Sequence, residues 1–488
     1  MHGYTSRLIQ ITTQCFILHI RYRRRECEVS LKPLSVKTLC TTVSGQLIQG
    51  EEVSIQYGAY RLKQVKHKNT VLFAERRIMN WNQIVPYFPL VLVTEWPYSP
   101  DELPQQVTLI RVRSSEEAFW KFVNDYRDQF RLPVVAVTGT SGKTTTTEMI
   151  KHILTPYKKV TATQLSTNSR TAFLHYLLSI EEDTEAAIFE TAVGAPGDLR
   201  RAGAYFKPTI GIITNIGAHH LNYCKTPEEY IKAKGEMLEI IKGGGTLIIN
   251  AEDVNTKKIG IQKFSGKIIT IGKGQSCDFR ASDLKYRSYG MQFTVHYRQQ
   301  HYDVQVPGFG EHQVYNALAA IATVVELGLT IPEAVQQLKT FKQLNKQLQL
   351  FVGLNGALLL DDTWSITTTS LEAALDVLNA LANGKKRIAI IGTITDVGSW
   401  GYVIHEQAGK LIYEKDVDVL ITIGEHAKII ADSVVKLGFQ KPVYSFKNSI
   451  LVYDLLNNIV DHNTIILIKG DMYSKTMIEL ANNLRKKI

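Results

Sequence analysis

Val134-Val-Ala-Val-Thr-Gly-Thr-Ser-Gly-Lys-Thr-Thr-Thr-Thr147 is the stretch on which the reading of this chain turns. Its first four residues, apolar and mostly β-branched, predict a buried strand. Gly139 and Gly142 predict a tight turn, and a helix opens at Lys143. A strand that runs through such a turn into a helix is a phosphate cradle. The loop N–H groups point inward, and the helix N-terminus adds about half a positive charge. On this reading Gly139, Thr140, Ser141 and Gly142 form the loop and Lys143 reaches the outer phosphates. Thr144 ligates Mg²⁺, with Thr145 beside it on the nucleotide. The common spacing would place a glycine where this chain has Val137, so the loop is a shorter variant.

Working outward, the same grammar recurs. Ala187–Phe189 and Ile210–Thr214 read as buried strands separated by helical stretches. A second alternating set runs through Leu358–Leu360, Arg387–Ile391, Val419–Ile423 and Thr464–Ile468. Buried strands alternating with helices predict parallel sheets. Before Leu132 the pattern is mixed, with apolar runs at Thr70–Phe73 and Leu90–Thr94 and a helical pattern over Glu116–Phe130. At 488 residues the chain is too long for one core. The expected fold class is α/β in three domains: a small mixed α/β domain, a central parallel-sheet ATPase domain and a C-terminal Rossmann-like domain. The expected bounds are an extension at 1–32, a substrate domain at 33–131, the ATP-binding domain at 132–345 and a C-terminal domain at 346–488.

Composition excludes disordered and fibrous classes, with 44% hydrophobic and 21% charged residues. The net charge of +10 is concentrated in residues 1–132, where 18 basic side chains face 12 acidic ones, and Arg21, Arg23, Arg24 and Arg25 cluster. No basic stripe with interleaved aromatics follows that cluster, so nucleic acid is not expected as a partner. Cys15, Cys27, Cys40, Cys224 and Cys277 are widely spaced and include no C-x-x-C pair. That fits a reducing compartment better than a disulfide framework or a zinc site. No run approaches the roughly 20 apolar residues of a membrane span, and the arginine cluster next to Leu8–Ile20 follows the apolar run. The expectation is a cytoplasmic monomer acting on small molecules.

Three downstream residues narrow the chemistry. Glu190 ends the strand Ala187–Glu190, at the carboxyl edge where open parallel sheets bind ligands, and a carboxylate there holds Mg²⁺. A solvated strand end is the plain alternative. His220 follows Asn215-Ile-Gly217 at the same edge; a lone histidine in such a place is more often a loop residue than a ligand. Thr226-Pro-Glu-Glu229 predicts a capped helix start at Pro227, with an end by Gly243-Gly-Gly245. Along that helix Lys234 falls within the stripe of Tyr230, Ile231, Met237, Leu238 and Ile241. Burial lowers an amine's pKa, and a neutral amine reacts with CO₂ to give an anionic carbamate. On periodicity alone, a lysine that snorkels to solvent is the better reading.

Taken together, these residues resemble the Mur ligases, ATP-dependent enzymes that add amino acids to peptidoglycan precursors. The resemblance covers about residues 33–485. It rests on T-G-T-S-G-K-T-T-T from Thr138, Glu190, T-N-I-G-A-H-H-L from Thr214, A-K-G-E at Ala233–Glu236, G-E-H-Q-V-Y-N from Gly310 and the Asp361-Asp362 pair. It implies that Lys143 and Thr144 bind ATP phosphates and Mg²⁺, that Glu190 and His220 are metal ligands, and that Lys234 is a carbamylated lysine helping to hold a second Mg²⁺. It further implies that His312 and Asn316 face the adenine and that Asp361 or Asp362 meets the ribose side. Capping of the helix through Leu327 is an equally compatible role for His312 and Asn316. The implied activity is ADP-forming amide ligation through an acyl phosphate, with Lys143, Lys234 and His220 as the catalytic set.

Four departures from the family fall mainly on substrate and third-domain contacts. D-D-S-Y-N-A-N-P appears as Asp361-Asp-Thr-Trp-Ser-Ile-Thr-Thr368, and K-G-S-R as Lys469-Gly-Asp-Met472. The Gly-Arg opening the third domain is at best Asn345-Lys346, and an Asp-Gly segment is absent after Val71-Leu-Phe-Ala74. The donor and acceptor therefore stay open, and a UDP-linked precursor is one candidate for the first domain. Two other readings compete: a Mur-like protein that binds ATP on another substrate or without catalysis, and a phosphate-loop kinase or NTPase.

Overall fold

The computed structural model describes residues 31–485, except 79, 218–220 and 242–243. His220 and the basic cluster at Arg21–Arg25 therefore lie outside the described residues. The chain divides into two compact units. One comprises the described residues to Phe130 with Leu174–Glu182, and the other comprises Arg131–Phe173 with the chain from Asp183 onward.

The first unit is built on a five-stranded sheet of β1 (Gln46–Gln49), β2 (Tyr57–Ala59), β3 (Thr70–Ala74), β4 (Leu90–Thr94) and β5 (Val107–Arg111), in the order β1-β5-β4-β3-β2. Strands β2 to β5 are parallel and β1 is an antiparallel edge. β3 and β4 are buried along their whole length, which is why they read as unbroken apolar runs. The helix Ser115–Asp128 starts where Ser114 accepts from the Glu117 N–H, and it buries Phe119, Phe122 and Val123.

The second unit holds two sheets. The larger contains β6 (Val134–Thr138), β7 (Val160–Ala162), β8 (Ala186–Glu190), β9 (Ile210–Ile213), β10 (Thr246–Asn250), β11 (Lys267–Gly272), β12 (Phe279–Arg287), β13 (Gly290–Tyr297) and β14 (Gln300–Pro307), ordered β14-β13-β12-β11-β10-β9-β6-β8-β7. From β7 to β12 it is parallel, and β12 to β14 form an antiparallel meander. The central β6 lies between β8 and β9, so the chain leaves it toward one side and later returns on the other. Such a reversal opens a crevice at the carboxyl ends of the strands.

The smaller sheet contains β15 (Gln349–Val352), β16 (Leu358–Asp362), β17 (Lys386–Gly392), β18 (Val419–Ile423), β19 (Val443–Phe446) and β20 (Thr464–Lys469), ordered β15-β16-β20-β17-β18-β19. All pairings are parallel except the β15 edge. The α/β architecture expected from the sequence is present in all three sheets.

Two apolar cores fix the crevice. The helix Glu311–Glu326 buries Val314, Ala317, Leu318, Ala320, Ile321 and Val324 in the same cluster as Val135, Val137, Met149 and Ile153 of the loop strand and its helix. A second cluster joins Ile213, Tyr230 and Met237 to Leu360, Ile391 and Ile394. Each Val, Leu, Ile and Met side chain among them contributes about 1.5–3 kcal/mol on burial, before the cost of ordering the chain is subtracted. One element differs from expectation. The helix opened by Thr226 ends at Gly235, and a separate turn runs Met237–Ile240. Gly235 is a weak helix former, and the buried Glu236 carboxylate is drawn to the Gly197 N–H at 2.7 Å and to Arg200 at 2.8 Å.

Candidate active site

The phosphate loop lies between β6 and the helix Lys143–Leu154. Gly139 has φ +148, and a Cβ there would sit 1.9 Å from Thr214 Oγ1. Gly142 has φ +84, and a Cβ there would sit 2.4 Å from Asn316 Oδ1. Neither position admits another residue unchanged. Asn215 holds the loop from β9. Its side-chain oxygen accepts from the Ser141 N–H at 3.0 Å, its Nδ2 donates to Ser141 O at 3.0 Å, and its backbone oxygen accepts from the Thr140 N–H at 2.9 Å. The helix Lys143–Leu154 begins with no side-chain cap, so its first N–H groups keep their capacity for an anion.

That helix start opens into a cavity of about 1030 Å³, lined by Thr140, Ser141, Gly142, Lys143, Thr144 and Thr145 together with residues from both sheets of the unit. Thr144 Oγ1 donates to Glu190 Oε2 at 2.8 Å, and Asn168 Nδ2 donates to Glu190 Oε1 at 2.6 Å. Burial pushes the Glu190 carboxyl up, and the Lys143 ammonium is the largest opposing influence. Lys143 itself is pulled below the usual amine value by burial, with Glu190 opposing. Its Nζ reaches Thr140 O at 3.3 Å. A hydroxyl, a carboxylate and an ammonium thus meet at the mouth of an uncapped helix.

His312 and Asn316 come from the buried helix and line the same cavity. The buried His312 Nδ1 has no hydrogen-bond partner. Burial, with the nearby Lys469 charge, pulls this imidazole down to about 4, so it is neutral near pH 7. The Asp361-Asp362 pair is split, because neighbouring residues on a strand face opposite sides. Asp362 lines the cavity and pairs with Lys469 at 2.5 Å. Asp361 is not among the lining residues. It accepts from Thr363 Oγ1 at 2.7 Å and pairs with Arg485, which lies over the Phe351 ring. Of the two aspartates, only Asp362 faces the cavity.

Lys234 is buried at 1% exposure, so the snorkelling alternative does not hold. Its Nζ donates to Gly139 O at 3.0 Å and to Thr138 Oγ1 at 3.3 Å, and it sits 5.0 Å over the Tyr230 ring. It stands behind the loop rather than among the cavity-lining side chains. Burial, then the Lys143 charge, pulls it well below the usual amine value. Among the described residues no group of three His, Cys, Asp or Glu side chains is placed to hold a metal ion; of the metal set expected from the sequence, Thr144 and Glu190 are in direct contact, and His220 lies outside the described residues.

Sequence reasoning passed over several lining residues. Gln347 faces the cavity and accepts from Thr145 Oγ1 at 3.0 Å, whereas Asn345 and Lys346, the pair read as nearest to the family's Gly-Arg, are not among the lining residues. Asn168 lies in a polar loop with no periodic signal. Asn215 stood inside the quoted T-N-I-G run but has no charge to draw attention. Trp364, Asp396, Asp471 and Tyr473 line the wall that follows β16, β17 and β20.

A parallel-sheet protein whose phosphate loop faces a cavity shared with a second α/β sheet belongs to the nucleotide-binding class. Residues 137–324 match the model described as "Mur ligase middle domain", so the chain carries that domain, and the resemblance read from the sequence holds at this level. The chain is similar to UDP-N-acetylmuramoyl-tripeptide--D-alanyl-D-alanine ligase of Bacillus subtilis, 26% identical over 341 residues, 70% of this chain and 73% of the relative. It is likewise similar to the Haemophilus influenzae protein of that name, 27% identical over 419 residues, 83% of this chain and 88% of the relative. Its fold matches that of MurF from Acinetobacter baumannii with a TM-score of 0.79 at 23% identity, covering 93% of this chain and 99% of that one. Among the described residues no helix is long and apolar enough to cross a membrane.

Proposed function

We propose that the protein is an ATP-dependent, ADP-forming carbon–nitrogen ligase that joins a peptidoglycan-precursor-like carboxylate to an amino acid or dipeptide in the cytoplasm. One observation carries the reading: the uncapped loop helix, Lys143, Thr144 and Glu190 open into a cavity large enough for a nucleotide and a second reactant.

The loop fits a triphosphate, since its helix N–H groups and Lys143 supply the positive field such an anion needs. Thr144 and Glu190 fit Mg²⁺, because a buried carboxylate beside a hydroxyl is the hard-oxygen donor set that cation prefers. When bound, Mg²⁺ offsets phosphate charge. His312, Asn316 and Asp362 line the cavity, which supports His312 and Asn316 as the adenine contacts and Asp362 as the ribose contact, with His220 as a further metal ligand. The donor carboxylate oxygen bonds to the γ-phosphorus as the β–γ bridging bond breaks and ADP leaves. The acceptor's neutral amine then attacks the acyl carbon, phosphate departs with the bonding pair, and the amine gives up its proton to solvent. Lys143 and the loop N–H groups hold charge and alignment through both steps.

Lys234 supports the carbamate part of the reading through its burial and its lowered proton affinity, which make a neutral amine available to CO₂. A carbamate would also replace repulsion from Lys143 with attraction, while its remaining N–H keeps Gly139 O as partner. Lys234→Ala is expected to lose turnover and to regain part of it with added short carboxylates. Full activity of Lys234→Ala without them would exclude the carbamate.

A coupled ADP-release assay over precursor carboxylates paired with amino acids and dipeptides, with mass spectrometry of the product, tests the whole. ADP release that needs both partners supports ligation. Release with ATP alone, or transfer of phosphate to a hydroxyl, supports the NTPase or kinase reading instead.

A further inference from the structure

The loop after β17 reaches across to the short segment Leu221–Lys225, which follows β9. The Leu221 N–H donates to Asp396 O at 3.2 Å, and Asn222 Nδ2 donates to Asp396 Oδ1. The Trp400 indole N–H donates to Lys225 O at 2.6 Å. Between them Gly398, at φ +55, lies so close that a Cβ would meet Asn222 Oδ1 at 2.9 Å and Asn222 Cα at 3.2 Å. Beneath these polar contacts Leu221, Cys224, Ile394 and Val397 share one apolar cluster. Three hydrogen bonds, a glycine-only approach and a common core are a fitted joint rather than a chance surface contact.

The joint is held stiff from one side. His405 is buried; its Nε2 accepts from the Ile394 N–H at 3.1 Å and its Nδ1 faces Gly401 O at 2.6 Å, so one imidazole spans both ends of the loop. Asp396 is also part of the reaction cavity's wall. Its neighbour Thr395 donates to Asp471 Oδ2 at 3.0 Å, which ties the ends of β17 and β20 together. The same residue therefore faces the substrate space and grips the sheet that carries the phosphate loop.

We propose that Asp396, through Asn222 and with Trp400 and Gly398, is a positioning clasp. It sets the wall of the smaller sheet at its working distance from the phosphate loop, so that the acceptor amine meets an acyl group formed on the nucleotide side. The clasp rests on the ligase reading for its consequence in catalysis, but not for its existence. The chain leaves Asp396 at φ +60, a conformation that Asp and Asn both tolerate, so exchanging the two types adds no backbone strain.

The test is an exchange of partners. Asn222→Asp sets two carboxylates face to face and is expected to lower kcat by about 10- to 100-fold, the cost of misplacing reacting groups by about an ångström. Nucleotide affinity, read by ADP titration, is expected to stay within about twofold, because the clasp does not touch the phosphate loop. The double variant Asn222→Asp with Asp396→Asn restores a donor and an acceptor, and kcat is expected to recover. Trp400→Phe keeps an aromatic ring at the position but loses the indole N–H and part of the ring system, with a smaller fall in kcat. Amide hydrogen exchange of residues 221–225 and 394–400 gives a readout that needs no amide product. Protection is expected to fall in Asn222→Asp and to return in the double variant. Unchanged exchange in Asn222→Asp, or a double variant no better than the single one, would overturn the clasp even if ligation is confirmed. Lost and restored protection without any ligase activity would overturn the ligase reading and the catalytic role, and leave only the structural joint.

Discussion

Gly142 shows how narrowly a single residue is constrained at this site. Its left-handed backbone costs other residue types about 1–2 kcal/mol, and its missing Cβ leaves room for Asn316 Oδ1, which would otherwise be 2.4 Å away. Gly142→Ala is therefore expected to lower stability by about 1–3 kcal/mol and to weaken nucleotide binding. Thermal unfolding with and without ADP checks this: a variant with wild-type midpoint and wild-type ADP stabilisation would contradict it. At this scale the sequence was informative wherever a residue's type is rare for its place. The loop glycines, Lys143 and Glu190 could be named because turn chemistry and strand-end placement restrict them. Lys234 could be put on a buried face by periodicity, but which way its amine points depends on the Gly139 carbonyl, a contact 95 positions away in sequence. Asn168 and Gln347 carry no such restriction and emerge only once the strands bring them together.

At the scale of elements, the carboxyl ends of β16, β17 and β20 are held by side-chain pairs across the sheet. Asp362 and Lys469 are register partners on adjacent parallel strands, both buried, with Lys469 also donating to Ser365 O at 2.8 Å. Asp362→Asn leaves a buried ammonium without its counter-charge and is expected to cost about 3–5 kcal/mol in urea unfolding. Asp362→Asn with Lys469→Met is expected to recover most of that. Equal stability of single and double variants would exclude the ion pair as the cause. His405 gives an element-scale pH dependence. Burial pulls it below the usual imidazole value, the Gly401 carbonyl opposes, and the His426 charge lowers it further. The unfolded chain takes up this proton near pH 6.5 and the folded chain only at a lower pH. The side chain's contribution is therefore full above about pH 6.5 and is lost as pH falls through the folded value. Urea unfolding of wild type and His405→Gln across about pH 8 to pH 5 is expected to show the wild type losing stability relative to the variant as acid is added. Parallel curves would exclude His405 as the titrating group.

The strands and helices themselves were largely legible, because a strand buried on both faces is an unbroken apolar run and a helix start has a capping signature. The break at Gly235 was not, since it depends on Glu236 finding Gly197 and Arg200 from another helix. The separate fates of Asp361 and Asp362 were legible in principle, because strand alternation alone sends neighbours to opposite faces. Which face holds the cavity depends on the stacking of β16 beside β20.

For the whole molecule, the alternation of strands and helices foretold parallel sheets, and the glycine-rich loop foretold a turn that opens onto a cavity. What the local pattern could not carry is the joining of the two sheets of the second unit around one cavity. That depends on long-range contacts such as Thr145 with Gln347, Asn222 with Asp396 and Trp400 with Lys225. In the proposed reading the phosphate loop forms a nucleotide half of the cavity, and Lys469, Asp471, Met472 and Trp364, which lie in segments that depart from the family's motifs, form its substrate wall. The chemistry proposed for the nucleotide half is thus independent of which amine the wall selects.

Oxygen tracing tests that chemistry most directly. A donor carrying ¹⁸O in its carboxylate, turned over with ATP and a productive amine, is expected to deliver one labelled oxygen to the released phosphate, because the donor oxygen becomes the bridge to phosphorus before the amine displaces it. Phosphate released without label would contradict an acyl phosphate and with it the ligase account.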